Sequence, residues 1–206
     1  MRDGWRDFLP STNPGGQEKR VHVDAPAAAS LVASSIYEFG LEYISSIDEI
    51  VLLCIGTDRS TGDSLGPLVG TRIAESTPEG FAVLGTLDNP VHATNLAETL
   101  ESVQSQYRRP FVIAVDASLG RMESVGFLTV GKGSLRPGAG VNKSLPAVGH
   151  VYVTGVVNVG GFMEYLVLQN TRLSLVFRMA TVAAQGIAQG LAALAHGRKA
   201  ACSSGQ

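Results

Sequence analysis

Acidic residues follow three separate apolar runs of the sequence. Among the polar residues of the chain, these acids have the side-chain type and the placement that best suit catalysis. The run Ile50–Ile55 leads into a loop that contains Asp63, and the run Phe111–Val115 ends directly at Asp116. Asp88 follows a third, shorter run. Ligands of an open α/β sheet gather beyond the carboxyl ends of its strands. We therefore expect these carboxylates to meet at one edge of a sheet.

Asp63 and Asp116 form the pair with the most chemical potential. Two carboxylates in one cleft cannot both ionise cheaply, so they either share a proton or bind a cation. With a shared proton, the ionised carboxylate activates water and the protonated one polarises a carbonyl group, as in aspartic proteases. With a cation, the pair and His92 would serve as ligands of a divalent metal. Structural roles are the alternative, with Asp63 capping a helix and Asp116 ending a strand.

Other polar residues of the same loops are candidates for binding a substrate or supporting the pair. They are Asp58, Arg59, Thr61, Asp88 and His92. Arg59 either faces a substrate or forms an ion pair with Asp58. His92 is a better candidate than His150, because His92 follows the carboxyl end of a predicted strand and His150 opens one. The serines and threonines lack a nearby histidine–acid pair and a G-x-S-x-G motif, which argues against serine hydrolase chemistry.

The glycine-rich loop at 56–67 does not have the pattern of a phosphate-binding loop. A P-loop has four residues between its glycines and then a lysine, whereas five residues separate Gly56 from Gly62 and Asp63 follows. A carboxylate at this position would repel a phosphate group. A near match at 126–133 has a hydrophobic strand as its spacer and lacks the required serine or threonine. The sequence therefore does not predict nucleotide binding.

The elements between these loops alternate as they do in α/β proteins. Continuous apolar runs indicate buried strands at 50–55 and 111–115, with weaker ones at 81–84 and 151–157. Apolar residues at helical spacing predict helices at 27–46, 65–73, 96–103, 162–168 and 176–194. A strand at 125–130 follows its predecessor too closely for a helical crossover, so we expect it to be antiparallel or at an edge. The pattern predicts an α/β three-layer sandwich with a mixed, mostly parallel sheet.

Length and composition indicate a single domain. The 206 residues carry a formal net charge of −2, without the basic excess of a dedicated nucleic-acid binder. No apolar run is long enough for a membrane span, and the first residues do not resemble a signal peptide, so we expect a cytoplasmic protein. Two cysteines make no disulfide framework. We predict a flexible arm at 1–25, an α/β domain at 26–197 and a flexible tail at 198–206.

Several strings of the sequence resemble the YyaC-type sporulation proteins, which are described as candidate spore proteases. The strings are CIGTDRSTGDSLGPLVG (54–70), VIAVDASLG (112–120), PGAGVNKSLPAVG (137–149) and VTGVVNVGGFMEYLVLQNTRLSLV (153–176). That family is in turn distantly similar to the germination protease of spore-forming bacteria and to the hydrogenase-maturation endopeptidases. The resemblance covers residues 50–190 and implies a phosphorylase/hydrolase-like α/β fold.

The resemblance also implies roles for individual residues. The string Thr61–Pro67 is similar to a T-P-D-A-L-G-P motif of the germination protease, whose aspartate corresponds to Asp63. The string that ends at Asp116 is similar to the strand that carries the second essential aspartate of that protease. The resemblance thus implies peptide-bond hydrolysis in a sporulating cell or spore interior, with a peptide or a small spore protein as substrate. The alternative is an inactive protein with the protease fold that binds a spore protein or a sporulation partner.

A metal is the point on which the two related enzyme groups differ. The hydrogenase-maturation enzymes add a histidine to the two carboxylates and hold a metal, and here the corresponding ligands would be Asp63, Asp116 and His92. No motif around His92 matches theirs. We therefore predict that the protein has no cofactor and no tightly bound transition metal, and that the aspartates share a proton. The sequence predicts neither a nucleic-acid nor a membrane partner, and it leaves homo-oligomerisation open.

Overall fold

The computed structural model describes residues 17–44, 46–76, 81–138 and 145–203. Its centre is one six-stranded sheet with the strand order β1-β5-β6-β4-β2-β3. The strands are β1 Glu18–His22, β2 Glu49–Cys54, β3 Phe81–Leu84, β4 Pro110–Gly120, β5 Phe127–Lys132 and β6 Val151–Val159. The pairs β2–β3, β2–β4 and β4–β6 are parallel, whereas β5 is antiparallel to both β6 and β1. The sheet is therefore mixed and mostly parallel, as the sequence predicts.

Helices cover both faces of the sheet. They are α1 Ala28–Gly40, α2 Leu65–Ser76, α3 Leu96–Gln106, α4 Glu164–Gln169 and α5 Leu173–Ser203. Short 3-10 turns lie at Leu41–Tyr43, Gly62–Ser64 and Met122–Ser124. Helices α1, α2 and α5 pack on one face and α3 packs on the other. The protein thus has the predicted three-layer α/β architecture.

Strand β2 shows why continuous apolar runs form the centre of this sheet. Its residues Ile50, Leu52 and Cys54 belong to the core under α1, α2 and α5. The alternate residues Val51 and Leu53 belong to the core under α3. Since successive side chains of a strand point to opposite faces, a strand covered on both sides must be apolar throughout.

The ends of the chain depart from the predicted domain boundaries. Residues Glu18–His22 lie inside the predicted N-terminal arm, yet they form strand β1 and pair with β5. Only Val21 of this strand is buried, because an edge strand is held by backbone pairing and needs little apolar pattern. Helix α5 continues to Ser203, past the predicted domain end at 197. Residues 1–16 and 204–206 lie outside the described residues.

Strand β5 confirms the expectation of an antiparallel strand or an edge strand for the 125–130 region. It runs antiparallel to both of its neighbours, and it lies between β1 and β6 rather than at an edge. Strand β1, which covers the outer edge of β5, is the element that the sequence pattern does not predict.

In the part of the chain that the structure describes, no helix combines the length and the apolar character that a membrane span requires.

Candidate active site

Asp63 lies in a tightly folded loop that joins β2 to α2. Gly56 begins the loop with a φ of +150°, a conformation that side-chain-bearing residues rarely adopt. A Cβ atom at Gly56 would lie 1.9 Å from the carbonyl oxygen of Asp63. The Thr57 N–H donates a hydrogen bond to that same carbonyl oxygen at 3.1 Å. The glycine therefore allows the loop to close on itself and to fix the backbone of Asp63.

Asp116 lies in β4, one residue past the point where β4 stops pairing with β2. Two backbone hydrogen bonds join the neighbouring strand ends at this place. The N–H of Ile55 donates to the carbonyl oxygen of Val115 at 2.7 Å, and the N–H of Gly56 donates to that of Val91 at 2.8 Å. The loops after β2 and β3 are thereby held beside Asp116. Contrary to the prediction from the apolar run, Asp116 does not end the strand, because β4 continues along β6 to Gly120.

A pocket of about 540 Å³ opens at this edge of the sheet. Asp63 and Asp116 both line it, together with Arg59 and His92. The remaining lining residues are Ile55, Gly56, Thr57, Ala93, Thr94, Pro137, Gly138, Leu145, Tyr165 and Leu168. The pocket therefore combines two carboxyl groups with cationic, hydroxyl and apolar neighbours, which is typical of a site that binds and converts an organic ligand.

Asp116 has the more strongly perturbed carboxyl group of the pair. Burial, and to a smaller extent the nearby Asp63 charge, raise the pKa of Asp116 to about 8. The N–H groups of Ala117 and Gly138 act in the opposite direction, since they donate to the carboxylate and favour its ionised form. The Ala117 N–H lies 2.9 Å from one carboxylate oxygen. Asp116 therefore holds its proton at neutral pH.

The pKa of Asp63 is shifted less than that of Asp116. Burial raises the pKa of the Asp63 carboxyl group, whereas the hydroxyl group of Ser60 lowers it. The Ser60 hydroxyl oxygen is itself buried and has no partner of hydrogen-bonding geometry among the described residues. Asp63 also lies in the 3-10 turn that leads into α2, where the positive end of the helix dipole favours a carboxylate. Asp63 is thus the member of the pair that ionises more readily.

His92 lines the pocket and is held by the start of α3. Its backbone N–H donates to the side-chain oxygen of Asn95 at 2.7 Å, and its ring Nδ1 lies 2.9 Å from the Thr94 hydroxyl oxygen. His92 does not complete a metal-binding set with the two aspartates. Among the described residues, no group of three or more histidine, cysteine, aspartate or glutamate side chains has the geometry to hold a metal ion. The described residues of the pocket therefore do not fit a divalent-metal site.

Three of the predicted supporting residues lie outside the pocket lining. Asp58 is exposed in the first loop, next to the Thr57 hydroxyl group. Thr61 uses its carbonyl oxygen to accept hydrogen bonds from Ser64. Asp88 is exposed in the turn after β3. The spacing of these residues places them on the correct loops, but it does not determine which side chains turn towards the pocket.

The structure adds residues to the site that the sequence analysis missed. Tyr165 and Leu168 of α4 form one wall of the pocket, although they lie about fifty residues beyond Asp116 in the chain. Leu168 also packs against the first loop, because a Cβ atom at Gly62 would lie 2.7 Å from its side chain. The sequence offers no signal for these two residues, because the exposure of Tyr165 and the packing of Leu168 against the first loop follow from the fold.

The alternative histidine, His150, lies away from the pocket. It is buried at the start of β6, and its ring Nδ1 accepts a hydrogen bond from the Val112 N–H at 3.0 Å. Its ring also packs against those of Tyr43 and Phe111. This agrees with the expectation that His150 lies at the end of the sheet opposite to the candidate site.

Comparisons with known proteins place this α/β chain in a family. It belongs to the family described as "Protein of unknown function (DUF1256)", whose model matches residues 22–186. The Bacillus subtilis (strain 168) protein "Uncharacterized protein YyaC" is 52% identical over 166 residues, which cover 81% of this chain and 80% of that protein. The match confirms the resemblance to the YyaC-type proteins.

A solved structure is also similar to this chain. It is that of the [NiFe] hydrogenase maturation protease HycI from Thermococcus kodakarensis KOD1. The similarity has a TM-score of 0.46 at 17% sequence identity, and it covers 73% of this chain and 96% of that chain.

Proposed function

We propose that the protein is a peptidase that hydrolyses a peptide bond with Asp63 as general base and Asp116 as general acid. One observation carries the proposal: two carboxyl groups line one pocket, and their surroundings favour different protonation states. The pKa of Asp116 is raised to about 8, whereas Asp63 has a smaller rise and a hydroxyl neighbour that favours its charge. Pairs of titratable groups whose environments separate their pKa values are typical of acid–base catalysis.

The first step is attack of water on the peptide carbonyl carbon. The Asp63 carboxylate accepts a proton from the water molecule as the new carbon–oxygen bond forms. The protonated Asp116 donates its proton to the carbonyl oxygen, which would otherwise become an anion. The product of this step is a tetrahedral diol. Asp63 is now protonated and Asp116 is ionised.

The second step breaks the carbon–nitrogen bond. Asp63 donates its proton to the departing amine nitrogen, and the diol returns one hydroxyl proton to Asp116 as the carbonyl group re-forms. Both aspartates recover their starting states, and the products are a carboxylic acid and an amine. Since Asp116 must be protonated at the start, the proposal needs the low hydration that raises its pKa.

The rest of the pocket binds the substrate in this proposal. Leu145, Tyr165 and Leu168 offer apolar surface to side chains beside the cleaved bond. Arg59 and His92 offer hydrogen-bond donors at the same pocket. The resemblance to the YyaC-type sporulation proteins, and the distant similarity to the germination protease, support small acid-soluble spore proteins as the substrate class, within a sporulating cell or spore.

The proposal is tested by incubating the purified chain with small acid-soluble spore proteins and identifying the products by mass spectrometry. Asp63→Asn and Asp116→Asn should each abolish cleavage, with unchanged circular dichroism spectra. Asp88→Asn is the matched control, because it removes one carboxylate from an exposed turn outside the pocket. Wild-type activity in either pocket variant would refute the assignment of the pair.

A further inference from the structure

Strand β4 extends beyond the strand that flanks it on one side. Its pairing with β2 ends at Val115, opposite Cys54, whereas its pairing with β6 continues through Gly120. On the side away from β6, the segment 116–120 therefore has no strand partner among the described residues. We call this segment the open edge. All five of its residues are partly exposed.

The direction of the backbone groups on the open edge follows from strand alternation. The carbonyl oxygen of Val115 faces β2, where it accepts a hydrogen bond from Ile55. The carbonyl oxygen of Gly120 faces the other side, where it accepts one from Gly160. Ala117 and Leu119 share the direction of Val115, so their backbone groups face away from β6. The Ala117 N–H donates to the Asp116 carboxylate.

Among the described residues, three backbone groups of the open edge have no backbone partner: the carbonyl oxygens of Ala117 and Leu119 and the N–H of Leu119. They lie two residues apart on a strand, and that spacing matches the backbone of a second extended chain. A row of unpaired N–H and C=O groups is a template for strand addition. A small rigid ligand would satisfy one such group, whereas an extended polypeptide would satisfy all of them.

The open edge is continuous with the candidate active site. Its first residue is Asp116, whose side chain lines the pocket. A polypeptide that pairs with Ala117 and Leu119 therefore reaches the pocket within one or two residues of its own length. We infer that the substrate binds as an added β-strand along the open edge, with the bond to be cleaved lying over the two aspartates.

This inference rests on the proposed function and defines its substrate class. The substrate is a segment of polypeptide that is extended or unfolded at the cleavage point, because a helix or a tight turn cannot pair with a strand edge. Backbone pairing supplies affinity, and the side chains that alternate along the peptide supply selectivity through the pocket. A folded protein with no free strand is not bound in this way.

The test begins with selection of binding peptides from a displayed library of random decapeptides. The target is the Asp63→Asn protein, which retains the open edge and lacks the proposed base. One selected peptide is then synthesised with a single N-methyl group at each position in turn, and its binding to the wild-type protein and to Asp63→Asn is measured. N-methylation should weaken binding at least about tenfold at alternate residues and much less between them. Equal losses at successive residues, or failure to select any peptide, would overturn the inference.

Two further measurements locate the peptide on the protein. Amide hydrogen exchange at Leu119 should slow when the selected peptide is bound. Leu119→Pro removes the N–H that faces outward, and it should bind the peptide at least about tenfold more weakly than Leu119→Ala, which loses the same side chain but keeps the N–H. Equal affinity of these two variants, together with unchanged exchange at Leu119, would contradict strand addition.

The proposed function and this inference fail in different ways. If the selected peptides protect Leu119 and no protein or peptide is cleaved, the inference stands and the catalytic proposal is wrong. If spore proteins are cleaved and N-methylation has no alternating effect, the catalytic proposal stands and the inference is wrong.

Discussion

The replacement Asp116→Asn should stabilise the protein, and the gain should grow with pH. The structure places the Asp116 carboxyl group where ionisation is unfavourable, because the group is poorly hydrated and lies near Asp63. Asparagine has nearly the same shape and cannot ionise. A residue that serves catalysis at a cost to stability is common in active sites.

The sign and size of the effect follow from the two protonation states. In the native protein the pKa of Asp116 is about 8, and its ordinary value is 3.8. Below about pH 4 the Asp116 carboxyl group is protonated in both the native and the unfolded chain. Its contribution to the free energy of unfolding therefore does not depend on pH in that range. Between pH 4 and 8 only the native protein holds it, and the free energy of unfolding falls by about 1.4 kcal/mol per pH unit. Above pH 8 both states are ionised, so the contribution of Asp116 to the free energy of unfolding no longer changes with pH.

Asp116→Asn removes this dependence. Its free energy of unfolding, measured relative to wild type, should therefore rise by about 3 kcal/mol between pH 5 and pH 7. The change of this stability difference with pH is more informative than its value at any one pH. The substitution also alters the hydrogen bond from the Ala117 N–H, but that contribution is the same at every pH in this range.

The assay is urea unfolding of both proteins at pH 5, 6, 7 and 8, followed by circular dichroism. Asp88→Asn is the matched control for the loss of one carboxylate, since Asp88 is exposed and lies outside the pocket. The control should follow the wild-type curve. If Asp116→Asn and wild type lose stability in parallel across this range, then Asp116 is ionised at neutral pH and cannot act as the general acid.

Three further predictions concern the same site. The cleavage rate should fall above about pH 8, as Asp116 loses the proton that it donates, and a rate that is flat to pH 10 would contradict this role. Gly56→Ala should lower the free energy of unfolding, measured in urea, by at least about 2 kcal/mol, because the added Cβ would lie 1.9 Å from the Asp63 carbonyl oxygen. Gly133→Ala is the control, because Gly133 also has a positive φ but no atom lies within 4 Å of the added Cβ. Elemental analysis of protein purified without added metal should find no stoichiometric transition metal, and metal that is lost in Asp63→Asn would refute the proton-sharing pair.

The sheet and the meeting of Asp63 and Asp116 at one pocket were predictable because both depend on strong local patterns. Continuous apolar runs identified β2 and β4, since strands covered on both faces must be apolar throughout. Because the carboxyl ends of parallel strands meet at one edge, the sequence could place Asp63 and Asp116 together, although β4 continues past Asp116 to Gly120. These inferences used short stretches of sequence and one general property of α/β sheets.

Strand β1 was not predictable from the same kind of pattern. It contains Glu18, Lys19 and Arg20, and its pairing with β5 depends on backbone groups that every sequence possesses. An edge strand gains little from apolar side chains, and charged residues on an edge oppose unwanted association. The composition that indicated a flexible arm is therefore also the composition of this strand.

The walls of the pocket were not predictable because they depend on tertiary packing. Tyr165 and Leu168 reach the site because α4 packs beside the first loop, a contact between segments about one hundred residues apart. Side-chain direction within a loop is equally hidden from sequence spacing. For this reason Arg59 lines the pocket, whereas its neighbour Asp58 does not.

The measurement that tests the central claim most directly is turnover. Wild-type protein is incubated with a hundredfold excess of small acid-soluble spore protein, and the peptide products are counted by mass spectrometry over time. We predict that product exceeds the amount of protein many times over, and that Asp116→Asn yields none. A stable complex with the substrate intact would contradict the catalytic claim and would identify the chain as a binding protein.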